Sequence, residues 1–214
     1  MRTLGLLPSA ARSNAARQNF DVQHFERWSR RYEESWMQRR VFAPTHSAVL
    51  ALATQLPTPD VILDAGCGTG RLLRAAAQRW PDATLIGVDP AEGMVEMARK
   101  LTPGATIHRG LAEALPLPDA SVDLVFSTLS FHHWHDQQAG VREMARVLRP
   151  GGHFILADVA PPQILTWLRF TRGARSLATR QRIFAAAGLR IERSKRVNLG
   201  AGPFNMIAVT VAAR

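Results

Sequence analysis

Val61-Ile62-Leu63-Asp64-Ala65-Gly66-Cys67-Gly68-Thr69-Gly70-Arg71 describes a strand, a glycine turn and the start of a helix. A second apolar run, Ala83-Thr84-Leu85-Ile86-Gly87-Val88, ends in Asp89. This order constrains the chain more than any other feature, because it is the pattern of a nucleotide-type site on a parallel sheet. Gly66, Gly68 and Gly70 fall on every second residue, so backbone without Cβ can lie close against a flat ligand. The dinucleotide fingerprint G-x-G-x-x-G needs a third glycine where Arg71 stands. No Lys-Ser or Lys-Thr pair follows, so the phosphate-cradling P-loop is absent as well. A carboxylate at Asp89 can accept both hydroxyls of a ribose. The expected ligand is an adenosine group without phosphates.

Further motifs follow in a fixed order. They are Gly110-Leu111-Ala112-Glu113-Ala114-Leu115-Pro116-Leu117-Pro118-Asp119, then Ser121-Val122-Asp123-Leu124-Val125-Phe126-Ser127, then Glu143-Met144-Ala145-Arg146-Val147-Leu148-Arg149-Pro150-Gly151-Gly152. With the glycine loop and Asp89, this series resembles class I S-adenosylmethionine-dependent methyltransferases, in the small-molecule branch similar to the ubiquinone/menaquinone methyltransferases. The resemblance runs from about Val61 to Asp158. It implies an α/β fold, a doubly wound Rossmann-like sandwich whose seven-stranded, mostly parallel sheet ends in an antiparallel strand, with N-terminal helices capping the active site. It also implies S-adenosyl-L-methionine as methyl donor and S-adenosyl-L-homocysteine as product.

The resemblance assigns site residues too. Asp64, Gly66, Cys67, Gly68 and Gly70 would hold the methionine part of the cofactor, and Asp89 the ribose. Pro90 and Met94 would flank the adenine, and Ala112 and Glu113 would line its edge. Ser127 and Leu129, after the fourth strand, would face the sulfonium and the incoming nucleophile. In Ser130-Phe131-His132-His133-Trp134-His135-Asp136, His132 is the first candidate base and His133 the second, since imidazole titrates near neutrality. Either ring could instead only hydrogen-bond the turn. No metal is called for: adjacent ligands such as His132, His133, His135 and Asp136 seldom converge on one ion, and this class of transfer does not require one.

The 214 residues, 46% of them hydrophobic, suit one compact domain with a small appendage. Residues 1–18 read as a loose tail, 19–57 as a helical cap and 58–214 as the cofactor-binding domain, with an insertion at about 161–175. Phe25, Trp28, Tyr32 and Trp36 recur at spacings of three and four, which predicts an amphipathic helix from Phe20 to about Arg40. Pro44 is expected to end it, and Thr45 to cap a second helix through about Gln55. Strands are expected at 61–65, 83–89, 105–109, 121–127, 153–159, 189–197 and 204–212. The intervening helices are placed at about 70–79, 91–100, 137–148 and 176–187.

No apolar run approaches a membrane span, and the N-terminus lacks the apolar core of a signal peptide, so a cytoplasmic enzyme is expected. Cys67, the single cysteine, stands between two loop glycines as a packed residue rather than a nucleophile. The whole net charge of +10 falls in residues 142–214, where twelve Arg and one Lys face Glu143, Asp158 and Glu192. Arg169, Arg172, Arg175, Arg180 and Arg182 share one segment. Such a segment is compatible with RNA, an anionic membrane surface or an acidic substrate, and equally with a solvated basic surface, the favoured reading. Ser127-Thr128-Leu129-Ser130-Phe131 lacks the Asn/Asp-Pro-Pro-aromatic motif of base N-methylation, and the several cysteines of arsenite methyltransferases are missing. The sequence therefore predicts methyl transfer to an oxygen, carbon or nitrogen of a small, lipophilic metabolite. The alternative is an RNA-binding protein or RNA methyltransferase that uses the basic segment.

Overall fold

The computed structural model describes residue 33 and residues 35–161, 173–197 and 207–214. The tail, the aromatic helix as far as Tyr32, most of the 161–175 insertion and the start of the last strand lie outside the described residues. Within them is a seven-stranded sheet: β1 (Val61–Ala65), β2 (Thr84–Asp89), β3 (Ala105–Arg109), β4 (Val122–Thr128), β5 (Leu148–Val159), β6 (Arg190–Arg196) and β7 (Ile207–Ala213). Their order is β3-β2-β1-β4-β5-β7-β6, with β7 antiparallel to both of its neighbours. The helices are α1 (Ala43–Ala53), α2 (Arg71–Arg79), α3 (Glu92–Leu101), α4 (Gln137–Val147) and α5 (Leu177–Ala186).

The central strands are apolar almost throughout because both faces are covered. Ile62, Leu124, Phe126, Ile155 and Val209 pack on one side with Val49, Leu72, Leu73 and Val95. Leu63, Val125, Phe154 and Leu156 pack on the other with Val141, Met144 and Phe184. Strand order reverses between β1 and β4, so a crevice opens at their carboxyl ends, where ligands of such sheets bind.

Two local expectations fail. Pro44 does not end a helix: the chain is helical from Trp36 to Ala53, through a π-helical turn, Gln38–Phe42, that leads into α1. That turn bonds Ala43 N–H to the Gln38 carbonyl, and Pro44 then falls in the first turn of α1, where a missing N–H costs nothing. Thr45 is not a cap; its hydroxyl donates back to the Val41 carbonyl at 2.7 Å. Pro150-Gly151-Gly152 is also no separate turn. It is carried inside β5 as an irregularity in the pairing with β4, between Val122 and Leu124.

Several motif residues prove to be structural fasteners. Asp123 accepts from Val61 N–H at 2.8 Å and from Arg149 at 2.7 Å, tying the start of β1 to β4. Arg146 donates to Glu143, Asp119 and the Leu115 and Leu117 carbonyls, which pins the two-proline loop on α4. Bonding to Arg146 holds the Glu143 carboxyl below its ordinary value.

The basic segment is only partly a surface. Arg180 is fully buried: one guanidinium nitrogen donates to the Val159 carbonyl at 2.6 Å, another to the Ala208 carbonyl at 3.3 Å, and its charge offsets that of buried Asp158. It thereby joins α5, β5 and β7, and it is no part of an electrostatic footprint. Arg190, Arg193, Lys195 and Arg196 lie on β6, an exposed edge strand. Charges there block edge-to-edge association with other strands, which explains them without a polyanionic partner. Arg180→Ala is expected to lower stability by about 3 kcal/mol, because it removes one of the positive charges near a buried carboxylate and strips two carbonyls of their donor. Chemical denaturation of parent and variant measures the difference. Among the described residues no helix is long and apolar enough to cross a membrane.

Candidate active site

The glycine loop closes over the ends of β1 and β2. Gly66 N–H and Cys67 N–H both donate to the Val88 carbonyl, at 2.8 and 3.1 Å, which folds the chain sharply back on β2. Gly66, Gly68 and Gly70 all have positive φ (80°, 52° and 77°), conformations that a side chain resists. A Cβ on Gly66 would also stand 2.0 Å from Ser130 Oγ. Gly70 ends the loop as the left-handed residue preceding α2.

Asp89 fastens the loop from the neighbouring strand. One carboxylate oxygen accepts from Gly68 N–H at 2.9 Å and the other from Ala91 N–H at 3.0 Å. Asp64 lies in the strand beside it, buried, and its Oδ1 finds no partner among the described residues. Burial first, and then the negative charge of Asp89, push the Asp64 carboxyl up to about 8. Burial raises the Cys67 thiol too, with Asp89 and Asp64 adding to it, which disfavours the thiolate. Cys67 packs against Gly87, where an added Cβ would meet its Sγ at 2.8 Å.

The other sequence-predicted residues lie at the end of β4 or in the segments that follow β2, β3 and β4. Met94 is buried in the first turns of α3, with Pro90 ahead of it at the end of β2. Ala112 is buried, and Glu113 accepts from Asp136 N–H at 3.1 Å, linking its loop to the start of α4. Asp136 itself caps that helix, accepting from Gln138 and Ala139 N–H. Ser127 is fully buried with an unpartnered Oγ among the described residues, and Leu129 holds φ of 54°. His132 donates from Nδ1 to Asp158 Oδ1 at 2.7 Å, and its backbone N–H donates to the other oxygen at 3.2 Å. Burial alone would raise the Asp158 carboxyl, but the His132 and Arg180 charges and the hydrogen bonds it accepts hold it low. His133 lies against His132, ring centroids 3.9 Å apart.

Four contributors escaped the sequence reading. Gln38, Phe42 and His46, from the π-turn and α1, line a small cleft together with Asp64, the glycine loop, Arg71 and Thr128. His46 sits 3.3 Å from Thr128 Oγ1, and burial, with Arg71 and Arg74 adding to it, lowers its imidazole to about 4. Glu33 accepts from Thr69 Oγ1, from Arg74 at 2.9 Å and from Arg71 at 3.1 Å, so the chain before the helix is fastened to the loop below.

Asp64 and His46 give the ligand-free protein a defined pH response. A buried histidine held neutral favours the folded state fully above pH 6.5 and loses that contribution as pH falls toward 4. A carboxyl raised to about 8 acts in the opposite sense: the fold keeps a proton that the unfolded chain has released, and stability falls as pH rises toward 8. Below pH 6.5 the two trends offset each other. Between pH 6.5 and 8 the His46 contribution no longer changes and that of Asp64 still does, so the melting temperature is expected to drop by about 3 °C. Melting curves of Asp64→Asn should be flat over that interval.

A glycine loop latched by an acid at the tip of the next strand, at the switch point of a β3-β2-β1-β4-β5-β7-β6 sheet, is the arrangement expected of a class I S-adenosylmethionine-dependent methyltransferase domain. Residues 63–156 match the family model described as "Methyltransferase domain". The malonyl-[acyl-carrier protein] O-methyltransferase of Dechloromonas aromatica is 39% identical over 142 residues, covering 65% of this chain and 50% of that one. The chain spans about half or less of the length of the first curated relatives it matches. Among solved structures, an S-adenosylmethionine-dependent methyltransferase from Mesorhizobium loti is 26% identical, with TM-score 0.62 over 77% of this chain and 96% of that one. The methyltransferase solved with the Haloferax volcanii Trm112 activator shares the fold, with TM-score 0.73 at 24% identity over 88% of this chain and 96% of that one.

Proposed function

We propose that this chain transfers the methyl group of S-adenosylmethionine to an oxygen, carbon or nitrogen of a small metabolite. The observation that carries the reading is the pairing of two strand-end carboxylates with a glycine loop that leaves Oδ1 of one of them, Asp64, buried and without a partner among the described residues. An unmet carboxylate oxygen beside open backbone suits a cationic ligand and fits the cofactor of this class.

In this reading Asp89 accepts the ribose hydroxyls, and Asp64 with Gly66, Cys67, Gly68 and Gly70 holds the methionine part. Pro90 and Met94 flank the adenine, Ala112 and Glu113 line its edge, and Ser127 and Leu129 border the reacting centre. When bound, the cofactor supplies an electrophilic methyl carbon on a sulfonium. The protein then has to align an acceptor behind that carbon, and orientation alone is worth roughly 7 to 11 kcal/mol in well-positioned systems. For an acceptor that must lose a proton, His132 is the base. Asp158 fixes its tautomer by holding Nδ1–H, which leaves the ring's lone pair on Nε2. An acceptor that is already an anion needs only the alignment.

The name of the Dechloromonas aromatica relative makes an acyl carboxylate the first acceptor to assay. The test follows label from methyl-labelled S-adenosylmethionine into malonyl thioesters, quinols and other small acceptors, with RNA alongside. Label in a small acceptor supports the reading, and label in RNA alone overturns it.

A further inference from the structure

The cleft between the π-turn and the glycine loop contains a polar group with no structural employment. Gln38 is 2% exposed, yet neither its amide nitrogen nor its amide oxygen has a partner among the described residues. Two unmet buried groups cost stability unless something completes them. The amide lines the same cleft as Asp64, whose Oδ1 is likewise unpartnered, and as Thr69, Arg71 and Leu72 at the start of α2. That helix start has no side-chain cap and no acid in its first turn. Its open N–H groups and its dipole therefore favour a carboxylate.

We infer that Gln38 recognises the amino-acid end of the cofactor, its Nε2–H donating to the α-carboxylate at the start of α2 and its Oε1 accepting from the ammonium beside Asp64. An amide donates through its nitrogen and accepts through its oxygen, two separate atoms on one neutral group, and a zwitterion presents one group of each kind. A carboxylate at this position would add a second negative charge beside Asp64 and repel half of the ligand. The geometry of the π-turn bears on this directly, because it carries Gln38 ahead of Phe42 and His46 on the wall that faces the glycine loop. Gln38 thus lets this chain distinguish S-adenosylmethionine and S-adenosylhomocysteine from nucleosides that lack the amino acid. This inference rests on the cofactor reading above.

The test compares S-adenosylhomocysteine with 5′-methylthioadenosine, which has the same nucleoside and a thioether but no amino-acid end. Calorimetric titration of parent and Gln38→Leu is expected to show a loss of about tenfold or more for S-adenosylhomocysteine, as for one charge-assisted hydrogen bond, and a change within about twofold for methylthioadenosine. The ligand-free variant should melt at or above the parent temperature, since an apolar isostere removes two unmet polar atoms. Gln38→Met repeats the measurement with a straight chain should the leucine variant fail to fold. Unchanged affinity for S-adenosylhomocysteine overturns the inference, and so does an equal loss for both ligands, which would make Gln38 structural. A folded parent that binds neither ligand removes the cofactor reading, and the inference falls with it.

Discussion

Replacing Asp89 with alanine is expected to weaken S-adenosylmethionine binding by about a hundredfold or more while the chain stays folded. The carboxylate works in two directions. It accepts from Gly68 and Ala91 N–H, and so holds the loop against β2, and the proposed ribose contacts are made by the same two oxygens. Hydrogen bonds to a charged group contribute roughly 1.5 to 3 kcal/mol each, and every 1.4 kcal/mol is tenfold in affinity, so losing two accounts for the hundredfold. Asp89→Asn retains one acceptor and should fall between the two. A second consequence separates this account from simple loop damage. Removing Asp89 deletes the negative neighbour that helps to raise the Asp64 carboxyl, so the pH at which Asp64 ionises must move down. Calorimetric titration at several pH values, with circular dichroism as the check on folding, reads both effects. Binding as tight as the parent's would remove the ribose assignment.

The second large effect concerns turnover rather than binding. For an acceptor that must be deprotonated, His132→Asn is expected to lower kcat by about a hundredfold or more, the usual scale of a lost general base. Affinity for S-adenosylmethionine should stay within about twofold, since His132 is anchored to Asp158 on β5. The pH–rate profile of the variant should lose its acidic limb, which a residue that only shapes the turn would leave in place. Asp158→Asn should lower the rate as well, because an amide can present its NH2 group to Nδ1 and select the wrong tautomer. Equal kcat for parent and His132→Asn would leave His132 as a structural partner of Asp158. For an anionic acceptor, the same variant should cost little.

How much of this was written in the sequence depended on how local each determinant is. The glycine loop, Asp89 and the strand ends were legible because strand, turn and helix signals lie within a few residues of one another. Observed elements begin and end within one or two residues of the expected ones over most of the sheet, β5 being the main exception. Its Pro150-Gly151-Gly152 stretch suggested a turn, and pairing to β4 carried it into the strand. Pro44 misled for a related reason. A proline in a helical pattern usually marks an end, but the wider π-turn before it had already dispensed with its N–H.

The contributors to the cleft that were missed are the non-local ones. His46 and Thr128 meet across 82 positions, and nothing near either residue announces the pairing. Gln38 carries no motif, and its meaning comes from burial alone. Arg180 looked like one of a run of surface arginines until packing placed its guanidinium on two backbone carbonyls. Conversely, Asp123, Glu143 and Arg146 belong to motifs that carry the resemblance, and they hold loops and strands together rather than touch the cleft. A family signature thus mixes site and scaffold, and only the structure separates the two.

Titration of the folded parent with S-adenosylmethionine in a calorimeter tests the account most directly. It predicts saturable binding at one site per chain that tightens as pH rises from 6.5 to 8, because a cationic ligand favours the ionised form of Asp64. It also predicts that Asp64→Asn removes that pH dependence. A folded sample that gives no binding heat at any pH in this range, and no thermal shift with S-adenosylmethionine or S-adenosylhomocysteine, would contradict it.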